Sequence, residues 1–376
     1  MYIKEYEDIY ESSNYEKLSY SEQIKLKTQV VHEHYKKLNY LSVKPFIENP
    51  QPKNYRHKVI LSATNIQNKI KLGLFVENTK TIKPTLNNDM HDKEINRVFE
   101  TVEKVLQKYK ILAYDVKNPR GIMKHIFMRK SFKDQTILIC FVTQGYLLPN
   151  VKNIIKDIVS IHPNVVTVTQ NIHFRNTPIV LEDKEKILYG SGYIFDEILG
   201  FRFRLSTKSF YQINPRQMLN LYAKALELAN IQPTDIVLDC YSGIGTMSIL
   251  FASKAKKVIA VENNPSSVQD AKYNQRLNKI QNIEFVLDDA TNYMNKSTQK
   301  MDILVMDPPR SGSTPEFLDA VLKLKPRKVV YVSCDIETQV RDIKQLLSVY
   351  HIKEVIPIDM FSDTKHIELV TLLELK

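Results

Sequence analysis

Five short stretches of this chain carry residues that could do chemistry. Cys334 directly follows the β-branched run "KVVYVS". A free thiol, with a pKa of about 8.5, is a few per cent thiolate at neutral pH and strongly nucleophilic. As one of only three cysteines it also has a plainer reading, a small core hydrophobe. A core cysteine belongs inside the apolar run, however, and this one stands just past its end. Glu368 opens "ELVTLLEL" with Ile367, Leu369 and Val370 around it. A carboxylate so enclosed has a raised pKa, as a general base needs; the alternative is a solvated glutamate at a strand start. Gly243 and Gly245 in "LDCYSGIGT" lie between a strand and a helix, and Glu262 closes the next strand, "KVIAVE". Asp307, in "MDPPR", closes another.

The glycine pair lets the backbone bend sharply and approach a ligand at a helix N-terminus. A third glycine of the dinucleotide fingerprint is replaced by Ser248, and no phosphate-binding lysine follows. Glu262, nineteen positions after Gly243, can accept both hydroxyls of a ribose. With Asp239 on the first strand, this pattern suits S-adenosyl-L-methionine better than NAD; the plain alternative is a turn kept for packing. Asp307 stands where ligands of open α/β sheets bind, and Pro308 and Pro309 stiffen the loop behind it. Arg310 follows where an aromatic would grip an exocyclic amine, which argues against an amine target. Methyl donor, thiol and base together suggest C5 methylation of a pyrimidine. Thiolate addition at C6 makes C5 nucleophilic, and a base later removes the C5 proton. "DPPRSGS" holds no cysteine, which favours uracil over cytosine.

These residues need one sheet edge to bring them together. After residue 213 strand and helix signals alternate, as in a parallel, doubly wound sheet. The last two strand runs are joined by a loop too short for a crossover helix, so the final strand should run antiparallel and start at the edge where its parallel neighbours end. That logic puts Glu368 at the same mouth as Cys334. Upstream, "SEQIKLKTQVVHEHYKKL" reads as a helix with Ser21 as its cap. Short β-like runs then recur to about residue 205, among them "GIMKHIFMRKSF", "QTILICFVTQG" and "YIFDEILGFRFRLS", interrupted by one helix, "KEINRVFETVEKVLQKYKI". The expected fold class is α/β: a helical segment (1–48), a central α+β RNA-binding domain (49–205) and a C-terminal Rossmann-like methyltransferase domain (206–376).

A formal charge of +11 and a pI near 9.2 suggest a polyanionic partner such as nucleic acid, or simply a solvated basic surface. No apolar run is long enough to span a membrane and no signal peptide is legible. Three scattered cysteines imply no disulfide framework, metal site or iron–sulfur cluster, and a reducing cytoplasm is expected.

The stretches "SFYQINPRQMLNLY", "LDCYSGIGT", "AVENNPSSVQDAKYN", "MDPPRSG", "YVSCDIETQVRD" and "DMFSDTKHIELVTLLE" resemble the RNA uracil-C5 methyltransferase family, which includes 23S ribosomal RNA enzymes and tRNA position-54 enzymes. The resemblance runs over roughly residues 20 to 376. It implies Cys334 as nucleophile and Glu368 as proton acceptor. It also implies Gln212, Tyr241, Glu262 and Asp307 as S-adenosyl-L-methionine contacts, beside Gly243 and Gly245, and Phe210 near the target base. For Phe210 and Tyr241 core packing is the alternative. Two features depart from the family: Asp335 stands where Asn is usual and Ile336 where Pro is, and the OB-like domain and four-cysteine iron–sulfur motif of many members find no match. The resulting expectation is methylation of a uracil in RNA, in 23S ribosomal RNA rather than tRNA. The rivals are a tRNA enzyme, a catalytically impaired RNA-binding relative, and a small-molecule methyltransferase.

Overall fold

In the computed structural model, which describes residues 15–76, 79, 81–116, 120–175, 177 and 179–376, the first long helix is α1 (Tyr20–Lys36). Its cap is Ser19 rather than Ser21. The Glu22 amide donates to Ser19 Oγ, and the Glu22 carboxylate accepts the Ser19 amide at 2.8 Å. A serine three positions before a glutamate forms this reciprocal box, which satisfies two otherwise orphan amides.

The chain divides into two units. The first comprises residues 51–196 and 204–208. It holds β1 (Lys58–Ile66), β2 (Lys69–Phe75), β3 (Ile82–Pro84), α2 (Lys93–Lys108), β4 (Met123–Lys130), β5 (Ile137–Thr143), α3 (Val151–Ile161), β6 (Val165–Ile172) and β7 (Glu185–Tyr189). Its seven strands run in the order β3-β2-β1-β4-β5-β6-β7. Every neighbour is antiparallel except β5 and β6, which are parallel. A parallel pair needs a crossover, and α3 supplies it. The sequence reading has a single helix here and leaves "VKNIIKDIVSI" unassigned, because its dense β-branched residues weaken the helix signal. Buried Ile95, Phe99, Val102 and Leu106 of α2 and Ile154 and Ile158 of α3 pack with Val59, Leu61, Ile126 and Ile139 into this unit's core. The run "YIFDEILGFRFRLS" is a hairpin, β8 (Tyr193–Ile198) and β9 (Phe201–Ser206), turned at Leu199 and Gly200, both with positive φ.

The second unit comprises residues 15–50, 197–203 and 209–376, so α1 belongs with the C-terminal sheet. Along the chain come α4 (Pro215–Ala229), β10 (Ile236–Cys240), α5 (Thr246–Ala252), β11 (Lys257–Glu262), α6 (Pro265–Leu277), β12 (Ile283–Leu287), α7 (Ala290–Lys296), β13 (Ile303–Met306), α8 (Pro315–Leu324), β14 (Lys328–Ser333), α9 (Ile336–Leu346), β15 (Tyr350–Ile358) and β16 (Glu368–Leu375). Asn214, Asn264 and Thr314 cap α4, α6 and α8, each followed by proline at the first helical position, where its missing amide costs nothing. The strand order is β12-β11-β10-β13-β14-β16-β15, a Rossmann-like sheet. The first five are parallel; β16 is antiparallel to both its neighbours and central, as its two-sided apolar pattern requires. Among the described residues no helix is long and apolar enough to cross a membrane.

Candidate active site

The carboxyl edge of the second sheet gathers the singled-out residues. The register pairs Cys240 with Val261 and with Met306, so the next positions, Tyr241, Glu262 and Asp307, form a row across three strand ends. On the other side, Ser333 pairs with Leu369, which puts Cys334 opposite Glu368 one step on.

At the glycine turn, Gly243 and Gly245 have φ of 55° and 79°, and Tyr241 is also left-handed at 66°. A side chain on Gly245 would stand 3.0 Å from Phe285, whereas one on Gly243 would meet nothing within 4 Å. Gly245 is thus required by packing and conformation, while Gly243 borders open space. Glu262 accepts the Gly243 amide at 2.9 Å and the Asn264 amide at 2.8 Å, one on each carboxylate oxygen. Asp239 is fully buried; Ser248 donates to its Oδ2 at 2.5 Å, and its Oδ1 has no partner. Ser248, in the place of a third glycine, therefore holds this carboxylate. Burial, opposed by Ser248, pushes the Asp239 carboxyl up to about 7. Asp307 is likewise pushed up to about 7, by burial and by the charge of Asp239. The half-buried ring of Tyr241 packs on the core, 5.8 Å from Phe317, and burial raises its hydroxyl to about 12.

Cys334 is partly exposed, unlike the buried Cys140 and Cys240. Burial raises its thiol well above the ordinary range, the charges of Glu368 and Asp307 add to this, and Arg310 opposes them. Glu368 is 1% exposed and its Oε2 has no partner. Burial holds its carboxyl far above the usual range, Asp307 adds, and Arg310 again opposes. Arg310 is the arginine whose charge lowers the thiol pKa. Arg341 is engaged with Asp342 at 2.6 Å and with the carbonyl of Ser311. Asp335 is the cap of α9, its Oδ1 accepting the Thr338 amide at 2.9 Å and hydroxyl at 3.0 Å; its effect on the thiol ranks behind those of burial, Glu368, Asp307 and Arg310.

Phe210 and Gln212 lie on the loop before α4, Phe210 48% exposed and Gln212 buried. That loop is tied to the segment leading into Glu368, because Asn214 donates to the Met360 carbonyl at 3.1 Å and Gln217 to that of Asp359 at 3.0 Å. Two residues of this region escape sequence reading. Lys27, buried on α1, forms an ion pair with Asp359 at 2.7 Å and donates to the Phe361 carbonyl. His366 stands 3.5 Å from the Arg310 guanidinium. Among the described residues no group of His, Cys, Asp and Glu is arranged to hold a metal ion.

The family model described as tRNA (uracil-5-)-methyltransferase matches residues 179–376. An uncharacterized RNA methyltransferase of Oceanobacillus iheyensis is 37% identical over 367 residues, covering 96% of this chain and 80% of the relative. Another, from Halalkalibacterium halodurans, is 36% identical over 366 residues with the same coverage. Among solved structures, the Pyrococcus abyssi tRNA (uracil-54, C5)-methyltransferase in complex with S-adenosyl-L-homocysteine matches with a TM-score of 0.81 at 25% identity, covering 96% of this chain and 84% of that one. A thiol and a buried carboxylate facing each other beside a glycine turn, in a chain with these relatives, identify it as an RNA methyltransferase of the tRNA (uracil-5-)-methyltransferase family.

Proposed function

We propose that this chain methylates C5 of a uracil in RNA, with S-adenosyl-L-methionine as donor, Cys334 as nucleophile and Glu368 as proton acceptor. The observation that carries this reading is the facing pair itself, a thiol and a carboxylate with an unpartnered oxygen at one sheet edge. The donor fits the residues present. Asp239 offers a buried acceptor without a partner, Gly243 borders open space, and each Glu262 oxygen keeps a lone pair beyond its backbone bond for a ribose hydroxyl. When bound, S-adenosyl-L-methionine supplies the electrophilic methyl group that C5 receives.

The chain's own part is proton and electron-pair management. Cys334, partly exposed, gives its proton to water and its sulfur adds to C6, which places the displaced electron pair on C5 and the neighbouring carbonyl. After C5 is methylated, Glu368 takes the C5 proton. The pair left by that C–H bond becomes the C5–C6 double bond and expels the Cys334 sulfur. A carboxylate whose conjugate acid is held up by burial is a strong acceptor for this proton. Arg310 opposes the upward shift of both groups and so favours the thiolate and the carboxylate. The target uracil has to leave its stack to reach the sulfur, and Phe210, half-exposed on the loop before α4, is suited to contact it.

The RNA proposed as substrate is 23S ribosomal RNA, in the cytoplasm. Likeness to the Pyrococcus abyssi enzyme favours tRNA as the second reading. Tritium release from uracil labelled at C5, in separate 23S ribosomal RNA and tRNA transcripts, tests both. Release with wild type and none with Cys334→Ala supports the chemistry, and the responsive transcript names the substrate. Release that survives Cys334→Ala sinks it.

A further inference from the structure

In the first unit, the loops that leave β5 and β6 carry two aromatic rings into solvent. Tyr146 and Phe174 are each 48% exposed, and they meet edge to face with ring centroids 5.4 Å apart. Their neighbourhood follows from the topology: β5 and β6 are parallel, Thr143 pairs with Ile172, and both following loops leave the same end of the sheet. β7 is antiparallel to β6, with Asn171 opposite Glu185, so its start returns to that end. It brings Lys184 and Lys186, alternate residues on one face, over the Tyr146 ring at 5.7 and 5.3 Å. Lys184 also donates to the Tyr146 hydroxyl at 2.9 Å.

The rings are held in place. The Gln170 side-chain amide donates to Thr143 Oγ1 at 2.8 Å and to the Gly145 carbonyl at 3.0 Å, and the Gln144 amide donates to the Phe174 carbonyl at 3.2 Å. Both loops are thereby fixed before any ligand arrives. The nearby acids are engaged: Glu182 with Arg175 and His173, and Asp183 with Lys208. The cations left over the rings are the two lysines.

We infer that Tyr146, Phe174, Lys184 and Lys186 form a docking station for an unpaired stretch of RNA, the rings stacking on bases and the lysines following phosphates. Pre-set aromatic faces under positive charge are what an unpaired strand requires: base stacking is tolerant of sequence, and the lysines meet the backbone. A duplex keeps its base faces covered, so the station favours single strands. The inference rests on the reading of the chain as an RNA-modifying enzyme and deepens it, by naming a surface of the first unit that holds RNA.

The test uses the full chain and a fluorescein-labelled oligouridine of about ten nucleotides, free or annealed to oligoadenosine, with binding read by anisotropy over a salt series. Tyr146→Ala with Phe174→Ala should weaken unpaired RNA by about thirtyfold or more, leave duplex binding unchanged and leave the salt slope unchanged, while Tyr146→Phe should keep most of the affinity. Lys184→Gln with Lys186→Gln should lower the salt slope by about 1.4, the value for two phosphate contacts on a single strand. Wild-type affinity for unpaired RNA in the double aromatic variant overturns the station and leaves the rings to a protein partner. A wild type that binds unpaired RNA through these rings but transfers no methyl group supports the station and overturns the methylation reading. A wild type that binds neither RNA overturns both.

Discussion

Cys334 and Glu368 face each other one step beyond the last paired residues of β14 and β16, where Ser333 stands opposite Leu369. The antiparallel turn-back of β16 creates this relationship. A parallel final strand would end, not begin, at the mouth, and its first carboxylate would lie at the far edge of the sheet. Burial raises both groups, and the charge of Glu368 adds to the rise of the Cys334 thiol.

Glu368→Gln should separate bond formation from elimination. The amide cannot take the C5 proton, so the sulfur–C6 bond should persist and turnover should fall by about 10²–10⁴-fold. A protein–RNA adduct stable to denaturing electrophoresis is the expected readout, and it should vanish when Cys334→Ala is added. An adduct-free Glu368→Gln protein that still turns over at the wild-type rate would remove Glu368 from the role.

Arg310 should set the pH at which Cys334 reacts. Its positive charge favours the thiolate against burial, Glu368 and Asp307. Arg310→Gln therefore moves the thiol further up, and alkylation of Cys334 by iodoacetamide should shift to higher pH. Cys140 and Cys240 are 0% exposed, so peptide mass spectrometry of the folded protein reads Cys334 selectively. An unchanged or acid-shifted profile would contradict the assignment.

Asp239 should make the ligand-free protein less stable as pH rises. Its folded pKa is about 7, against about 3.9 for an unfolded aspartate. The folded chain thus binds a proton that the unfolded chain has released between those values. The associated stability is present in full below about pH 4 and is lost as pH rises through about 7, by on the order of a few kcal/mol. In Asp239→Asn the fall in melting temperature across this window should be shallower, with Asp307 still contributing in the same direction. The same variant should bind S-adenosyl-L-homocysteine more weakly by calorimetry. A slope as steep as wild type would refute the assignment.

Lys27 should matter to the second unit far more than a helix lysine ordinarily does. Its side chain is 1% exposed and that of Asp359 0%, with Tyr20 and Ser362 donating to the other Asp359 oxygen. Lys27→Met leaves a buried carboxylate without its cation and should cost about 3–5 kcal/mol in urea denaturation. Adding Asp359→Leu should recover much of that loss, because replacing both partners of a buried pair removes the unpaired charge.

Much of the candidate site is legible in the sequence. Strand–glycine–helix order, an acid closing the next strand, Asp307 after a four-residue apolar strand and Cys334 after a six-residue one are local patterns, fixed by backbone geometry and periodicity. Even the direction of β16 followed from loop length. The misreadings have equally local causes. Ser21 competes with Ser19 as a cap until hydrogen bonds decide, dense β-branched residues weaken the helix signal of α3, and the β8–β9 turn lacks a strong turn pair.

What sequence alone determined is the order of the elements and the identity of the groups at their ends, because these depend on residues close together in the chain. Only tertiary structure decided which groups act on one another. Arg310 meets the charges of Cys334 and Glu368 while Arg341 is drawn away by Asp342. Lys27 finds Asp359 across 332 positions, and Tyr146 finds Phe174 through a parallel strand pair. Burial and pairwise electrostatics depend on separations in space that no spacing along the chain encodes.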